Sequence, residues 1–183
     1  MTAAAGPVAA LSAFALEVPE AEACVGELRA RHDPSCALGV PAHITVLYPF
    51  MAPSAIDDAV LEKVRDALSA FHAFTIRLRR IERFPGVLYL APEPAEAIRE
   101  MTRSLAARFP SYPPYGGLYS DVVPHLTVAQ AGDIDLDAAE RELRARLPEQ
   151  GLVARCTEVT MMENASGLWR PMHSFPLAAA RDA

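Results

Sequence analysis

Cysteine is scarce in this chain: Cys24, Cys36 and Cys156 are odd in number and form no Cys-x-x-Cys pair, so neither a disulfide framework nor a thiolate metal site is expected. They read as buried free thiols of a reducing compartment. Cationic charge is also short. The net charge of −6 disfavours long, nonspecific contact with nucleic acid; a small anion, or a polyanion met by a local basic patch, is easier to reconcile. The Ala-rich N-terminus carries no Lys or Arg before its apolar run, and Glu17 and Pro19 interrupt that run. Neither a secretory signal nor a membrane span is therefore expected, and the location read from the sequence is cytoplasmic. There is no Gly-rich phosphate cradle, no Ser nucleophile elbow and no His pair at helical spacing. Their absence argues against nucleoside triphosphatase, triad hydrolase and metallohydrolase chemistry, so no cofactor and no metal are expected.

What the chain does have is a duplicated motif. Val40-Pro41-Ala42-His43-Ile44-Thr45-Val46-Leu47-Tyr48-Pro49-Phe50 returns in shortened form as Val123-Pro124-His125-Leu126-Thr127-Val128-Ala129. Each copy is a β-branched run behind a proline, which predicts a strand. The two-residue period of a strand puts His43 beside Thr45 and His125 beside Thr127, with the apolar residues on the opposite face.

With 51% apolar residues the chain can bury a full core. In order, the patterning predicts a strand over 8–18, a helix over 20–32 and a loop over 35–40 before the His43 strand. A helix capped by Ser54 then runs to about His72, followed by a hairpin of 74–84 and 87–91 turned at Pro85-Gly86. The order then repeats. A helix over 93–109, a Pro/Gly/Tyr loop over 110–121, the His125 strand over 122–130 and a helix over 136–147 lead to a second hairpin of 152–163 and 168–177. The two histidines are 82 residues apart (125 − 43) and the hairpin glycines Gly86 and Gly167 are 81 apart (167 − 86), which suggests internal duplication. The expectation is one domain over 1–183 made of two lobes, with repeat halves at about 8–91 and 87–177. Its class is α+β, bilobal with pseudo-two-fold symmetry: two antiparallel-rich sheets face each other across a central cleft, with helices outside.

Paired His-x-Thr strands at this separation resemble the two-histidine phosphoesterase superfamily, and Pro-Ala-His-Ile-Thr-Val-Leu-Tyr-Pro-Phe with Pro-His-Leu-Thr-Val is similar to its 2′-5′ RNA ligase-like branch. The likeness covers most of the chain. It implies a bilobal α+β protein acting without metal on 2′,3′-cyclic or 2′-5′ phosphodiesters. His43 and His125 would be the catalytic pair, and Thr45 and Thr127 the phosphate-binding hydroxyls. The implied activity is a 2′,3′-cyclic phosphodiesterase working on RNA ends or small cyclic nucleotides as a monomer; a 2′-5′ RNA ligase or a noncatalytic nucleotide- or RNA-binding module are the alternatives.

The residue chemistry supports this by itself. Opening a cyclic phosphodiester needs a base for water and an acid for the departing ribose oxygen, and imidazole can serve as either near neutrality. Two threonine hydroxyls can stabilise the charge that builds on the nonbridging oxygens. For substrate contacts the sequence offers Arg77 and Arg79 on one face of the 74–84 strand, and Tyr112, Tyr115 and Tyr119 in the 110–121 loop, which reads as a substrate lid. Tyr48, Phe50 and Trp169 are further aromatic candidates, with Tyr48 expected on the core side of its strand.

Overall fold

The computed structural model describes residues 10–179 other than 120, 131 and 133. The start of the strand expected from residue 8 lies outside that range. Among the described residues eight strands form two antiparallel sheets of four. They are β1 (Ser12–Glu17), β2 (His43–Phe50), β3 (Phe74–Phe84), β4 (Val87–Glu93), β5 (Leu126–Gln130), β6 (Leu152–Cys156), β7 (Glu158–Glu163) and β8 (Arg170–Pro176). Among the described residues five α-helices join them: α1 (Glu22–His32), α2 (Pro34–Ala37), α3 (Asp58–Leu68), α4 (Glu96–Arg108) and α5 (Leu136–Arg146). None of the described helices is long and apolar enough to cross a membrane.

The order in the first sheet is β2-β1-β7-β8, and in the second β5-β4-β3-β6. Each sheet thus takes two strands from each half of the chain. The first hairpin, β3–β4, sits in the sheet that carries His125, whereas the second, β7–β8, sits in the sheet that carries His43. The 152–163 stretch is accordingly not one hairpin arm. It divides at Thr157 into β6, which pairs with β3, and β7, which pairs with β1, so the chain crosses from sheet to sheet there. A period-2 pattern cannot announce such a crossing, because each piece alternates correctly against its own partner.

Three other boundaries differ from the sequence reading. Asp57, not Ser54, caps α3 by accepting the Val60 N–H at 2.8 Å, and the helix ends at Leu68. Asp33 caps the four-residue α2 inside the segment expected to be a loop. β5 starts at Leu126, so His125 stands just before the strand. Of the cysteines, Cys24 and Cys156 are buried free thiols, while Cys36 is half-buried. Burial, with a smaller contribution from Glu20, pushes the Cys156 thiol up to about 12.

One continuous apolar cluster unites both sheets. Phe14, Ile44, Leu47, Phe50, Leu90 and Leu126 are 0–1% exposed within it. The helices exchange sides. α1, which connects β1 to β2, packs against β5, whereas α4, which connects β4 to β5, packs against β2. Thr102 of α4 fixes the second of these contacts by donating to the Val46 carbonyl at 2.7 Å. The edge strands β2 and β5, one from each sheet, are thereby held beside each other.

Candidate active site

β2 and β5 share a local irregularity that decides what faces the cleft. Along β2, Ala15 pairs with Thr45 but Phe14 pairs with Leu47, leaving Val46 as an extra residue. Along β5, Tyr89 pairs with Thr127 but Leu88 pairs with Ala129, leaving Val128 as the extra one. Each is a β-bulge, and a bulge shifts the alternation by one. After it, Val46 and Leu47 are both buried, as are Val128 and Ala129. Tyr48 and Gln130, each three residues beyond its threonine, are therefore turned back onto the threonine face. Simple alternation puts Tyr48 in the core; it is 37% exposed instead and lines the cleft.

The cleft has a volume of about 330 Å³ and brings together His43, Thr45, His125 and Thr127. Both imidazoles are held in the same way. His43 Nδ1 bonds the Pro41 carbonyl at 2.8 Å, and His125 Nδ1 bonds the Val123 carbonyl at 2.8 Å. Only a protonated Nδ1 can donate to a carbonyl, so each ring carries its proton there when neutral. Nε2 is then the nitrogen left for chemistry.

The surroundings of the two rings differ. Burial holds His43 below the ordinary imidazole value; the Pro41 carbonyl and Asp33 pull it back up in part, while the charges of Arg29 and His125 lower it further. Burial also lowers His125, against the bond to the Val123 carbonyl. Its ring stands edge-on against the stacked pair Phe84 and Tyr89, with centroids at 5.1 and 5.4 Å. Beneath His43 lies a buried ionic network. Arg29 is 1% and Asp33 3% exposed. Asp33 Oδ2 accepts from Arg29 Nε and Nη2 at 3.0 and 2.9 Å; its Oδ1 accepts from Ser35 Oγ at 2.8 Å and Gln130 Nε2 at 3.0 Å.

The candidates for substrate contact separate. Tyr115 enters the cleft, where its phenol meets the Thr45 hydroxyl; burial raises its pKa, and the Thr45 contact opposes that. Its backbone φ of 51° is left-handed, and Gly116 and Gly117 continue at φ 65° and 78°. Among the described residues it is the one non-glycine with positive φ, a conformation that costs about 1–2 kcal/mol. Tyr112 instead packs on Phe50 at 5.0 Å, at the rim of the core. Tyr119 is 63% exposed and meets Tyr115 edge-on, ring centroids 5.7 Å apart.

Arg77 and Arg79 do not reach the cleft. They project from the solvent side of β3, where Arg77 donates to the Gln150 carbonyl at 2.7 Å and Arg79 borders a shallow depression with Glu149. The alternation that puts Ile76 and Leu78 into the core drives both arginines outward. Trp169, a candidate only as one of several aromatics, stands in the cleft wall with its ring 6.1 Å from Tyr48. Gln130 and Ser35 have no sequence signal of their own; they reach the cleft through the bulge and through α2. Among the described residues, no group of three His, Cys, Asp or Glu side chains is placed to hold a metal ion.

A model of the 2′-5′ RNA ligase superfamily matches residues 17–168. A Bacillus cytotoxicus protein named "Putative phosphoesterase" is 31% identical over 110 residues, which are 56% of this chain and 59% of that protein. The chain thus spans less than two thirds of that relative's length. The crystal structure of TT0787 of Thermus thermophilus is similar with a TM-score of 0.63 at 18% identity, covering 93% of this chain and 100% of the other. E. coli LigT complexed with 3′-AMP is similar with a TM-score of 0.57 at 16% identity, covering 93% and 99%. At these identities both structures speak for the fold.

Proposed function

The chain belongs to the 2′-5′ RNA ligase superfamily, and from that membership and the cleft we propose a metal-independent phosphodiesterase that hydrolyses 2′,3′-cyclic phosphates of RNA ends or small cyclic nucleotides. One observation carries the reading: two imidazoles, each with Nδ1 fixed on a carbonyl at 2.8 Å, share one cleft with two threonine hydroxyls. In the reaction, one neutral Nε2 takes a proton from water as the water oxygen bonds to phosphorus. The bond from phosphorus to one ribose oxygen breaks, and the other imidazole, protonated at Nε2, delivers a proton to that oxygen. Thr45 and Thr127 donate to the nonbridging oxygens, where negative charge grows. The Tyr48 and Trp169 rings form a wall against which a base can stack. That LigT, a protein of the same fold, is described with 3′-AMP supports the nucleotide class.

The superfamily's name favours a second reading, joining of RNA ends through a 2′-5′ bond, in which a ribose hydroxyl replaces water as the nucleophile. One experiment tests both. A panel of 2′,3′-cyclic mononucleotides and oligonucleotides, incubated in excess EDTA with and without an acceptor RNA, is expected to yield opened monoesters at the same rate as without chelator. Joined product in excess of hydrolysis would select the ligase. Failure to convert any member, with binding retained, would leave a nucleotide-binding module.

A further inference from the structure

The described residues lining the cleft include no arginine or lysine. An RNA end placed there therefore finds no cation for the phosphates further along its chain. A second pocket, of about 380 Å³, opens on the other side of the tyrosine loop, bordered by Arg99, Thr102, Arg103, Pro114, Tyr119 and Asp121.

Three relationships tie this pocket to the cleft. Tyr119, which borders the pocket, touches Tyr115, which borders the cleft, so the pair forms a ridge shared by both. Pro114, at the pocket's rim, is the neighbour of Tyr115 in the chain. Thr102 also lines the pocket and binds the Val46 carbonyl at 2.7 Å, which fixes α4 to the strand residue next to Thr45. Arg99 and Arg103 lie four residues apart on α4, so their charges are adjacent and repel unless an anion lies between them. Their helix partners are weak: Glu96 at 3.7 Å and Glu100 at 3.8 Å, with side chains 72% and 59% exposed. Such pairs contribute little and yield to a better anion. Among the described residues Asp121 is the one carboxylate bordering the pocket; it is suited to accept from a ribose hydroxyl or a base amine and opposes a second phosphate.

We propose that this pocket is the subsite for the nucleotide adjoining the cyclic end, with its phosphodiester on Arg99 and Arg103 and its base on the exposed face of Tyr119. The preferred substrate is then an RNA end and not a mononucleotide. The proposal rests on the phosphodiesterase reading above. Arg79 offers no equivalent, because its depression lies by the β6 end of the second sheet, away from β5 and the cleft.

The test compares a 2′,3′-cyclic mononucleotide with a trinucleotide ending in the same cyclic phosphate, in wild type and in Arg99→Gln/Arg103→Gln. Wild type should show a kcat/KM about tenfold higher on the trinucleotide at low salt. The double variant should lose that advantage while turning over the mononucleotide as wild type does, and the logarithmic salt slope should flatten by about one phosphate contact. Equal rates on both substrates in wild type, or equal losses on both in the variant, would overturn the subsite. If neither substrate turns over, the phosphodiesterase reading fails separately. Anisotropy with a fluorescent trinucleotide 3′-phosphate then decides: about tenfold weaker binding by the double variant supports the subsite, and unchanged binding rejects it.

Discussion

The Gln130 amide donates to the Asp33 carboxylate at 3.0 Å, joining the last residue of β5 to the cap of α2. The two residues are 97 apart in the chain, and their bond ties the edge of one sheet to the ionic pair that underlies the histidine of the other. Asp33 also holds Arg29 by two bonds. The floor of the cleft is thus a single buried network shared by both sheets.

Removing the carboxylate should be costly. Asp33→Ala removes the nearest counter-charge of a guanidinium that is 1% exposed and leaves it the Val40 carbonyl at 3.0 Å and Glu22 at 3.9 Å, a loss of about 3 kcal/mol. Denaturant unfolding measures it; a change within the range of a surface substitution would show that water takes over the Arg29 charge.

The same residue sets an acid limit. Burial acts to raise the Asp33 pKa, but the bonds from Ser35 and Gln130 and the Arg29 charge outweigh it, so the folded value lies below 3.8. A group depressed on folding stabilises above its unfolded pKa and loses that contribution as pH falls through the folded one. Stability should therefore hold down to about pH 4 and decline below it, and in Asp33→Asn the part of that decline due to this group should vanish. Acid titration of unfolding free energy in both proteins checks this.

His43→Ala and His125→Ala should each lower kcat on a 2′,3′-cyclic phosphate by about 10²–10⁴-fold, with the double variant little worse than either, because the pair acts as a unit. Circular dichroism should show the fold intact. A single variant with near wild-type turnover would remove that imidazole from the mechanism.

One neutral and one protonated imidazole give a bell-shaped dependence of kcat/KM on pH. Burial lowers both pKa values, so each proton is lost at lower pH than from a free histidine. The alkaline limb, which reports loss of the acid's proton, therefore moves below about 6.5, and the maximum should lie on the acidic side of that value. The limbs belong to the pair and not to single residues. A maximum at about pH 7.5 or above would contradict the assignment of the acid to either ring.

Tyr115→Phe keeps the ring in the cleft and removes the hydroxyl facing Thr45. If that hydroxyl orients Thr45 toward phosphate, kcat/KM should fall about 2–12-fold, the range of one neutral hydrogen bond, and Tyr115→Phe/Thr45→Val should be no worse than Thr45→Val alone. Unchanged kinetics in Tyr115→Phe would reduce the phenol to a wall.

Legible from the residues alone were the strand that opens at His43, the strand that carries Thr127 directly behind His125, the α+β class and the two-sheet arrangement, because those depend on local period and on a motif repeated at a fixed offset. The sequence also placed Tyr115 in the loop that reaches the cleft. Tertiary structure decided the rest. Arg77 and Arg79 share a strand face with Thr75, but whether that face meets a cleft or water depends on which side of the sheet the core occupies, and Ile76 and Leu78 claim the core. Tyr48 and Gln130 were hidden because alternation assumes one residue per step of the ladder. The bulges at Val46 and Val128 exist only in pairing with β1 and β4, so no reading of β2 or β5 alone can show them. The assignment of each hairpin to the opposite half's sheet is likewise a long-range pairing, set by the partners that β3 and β7 find and not by their own residues.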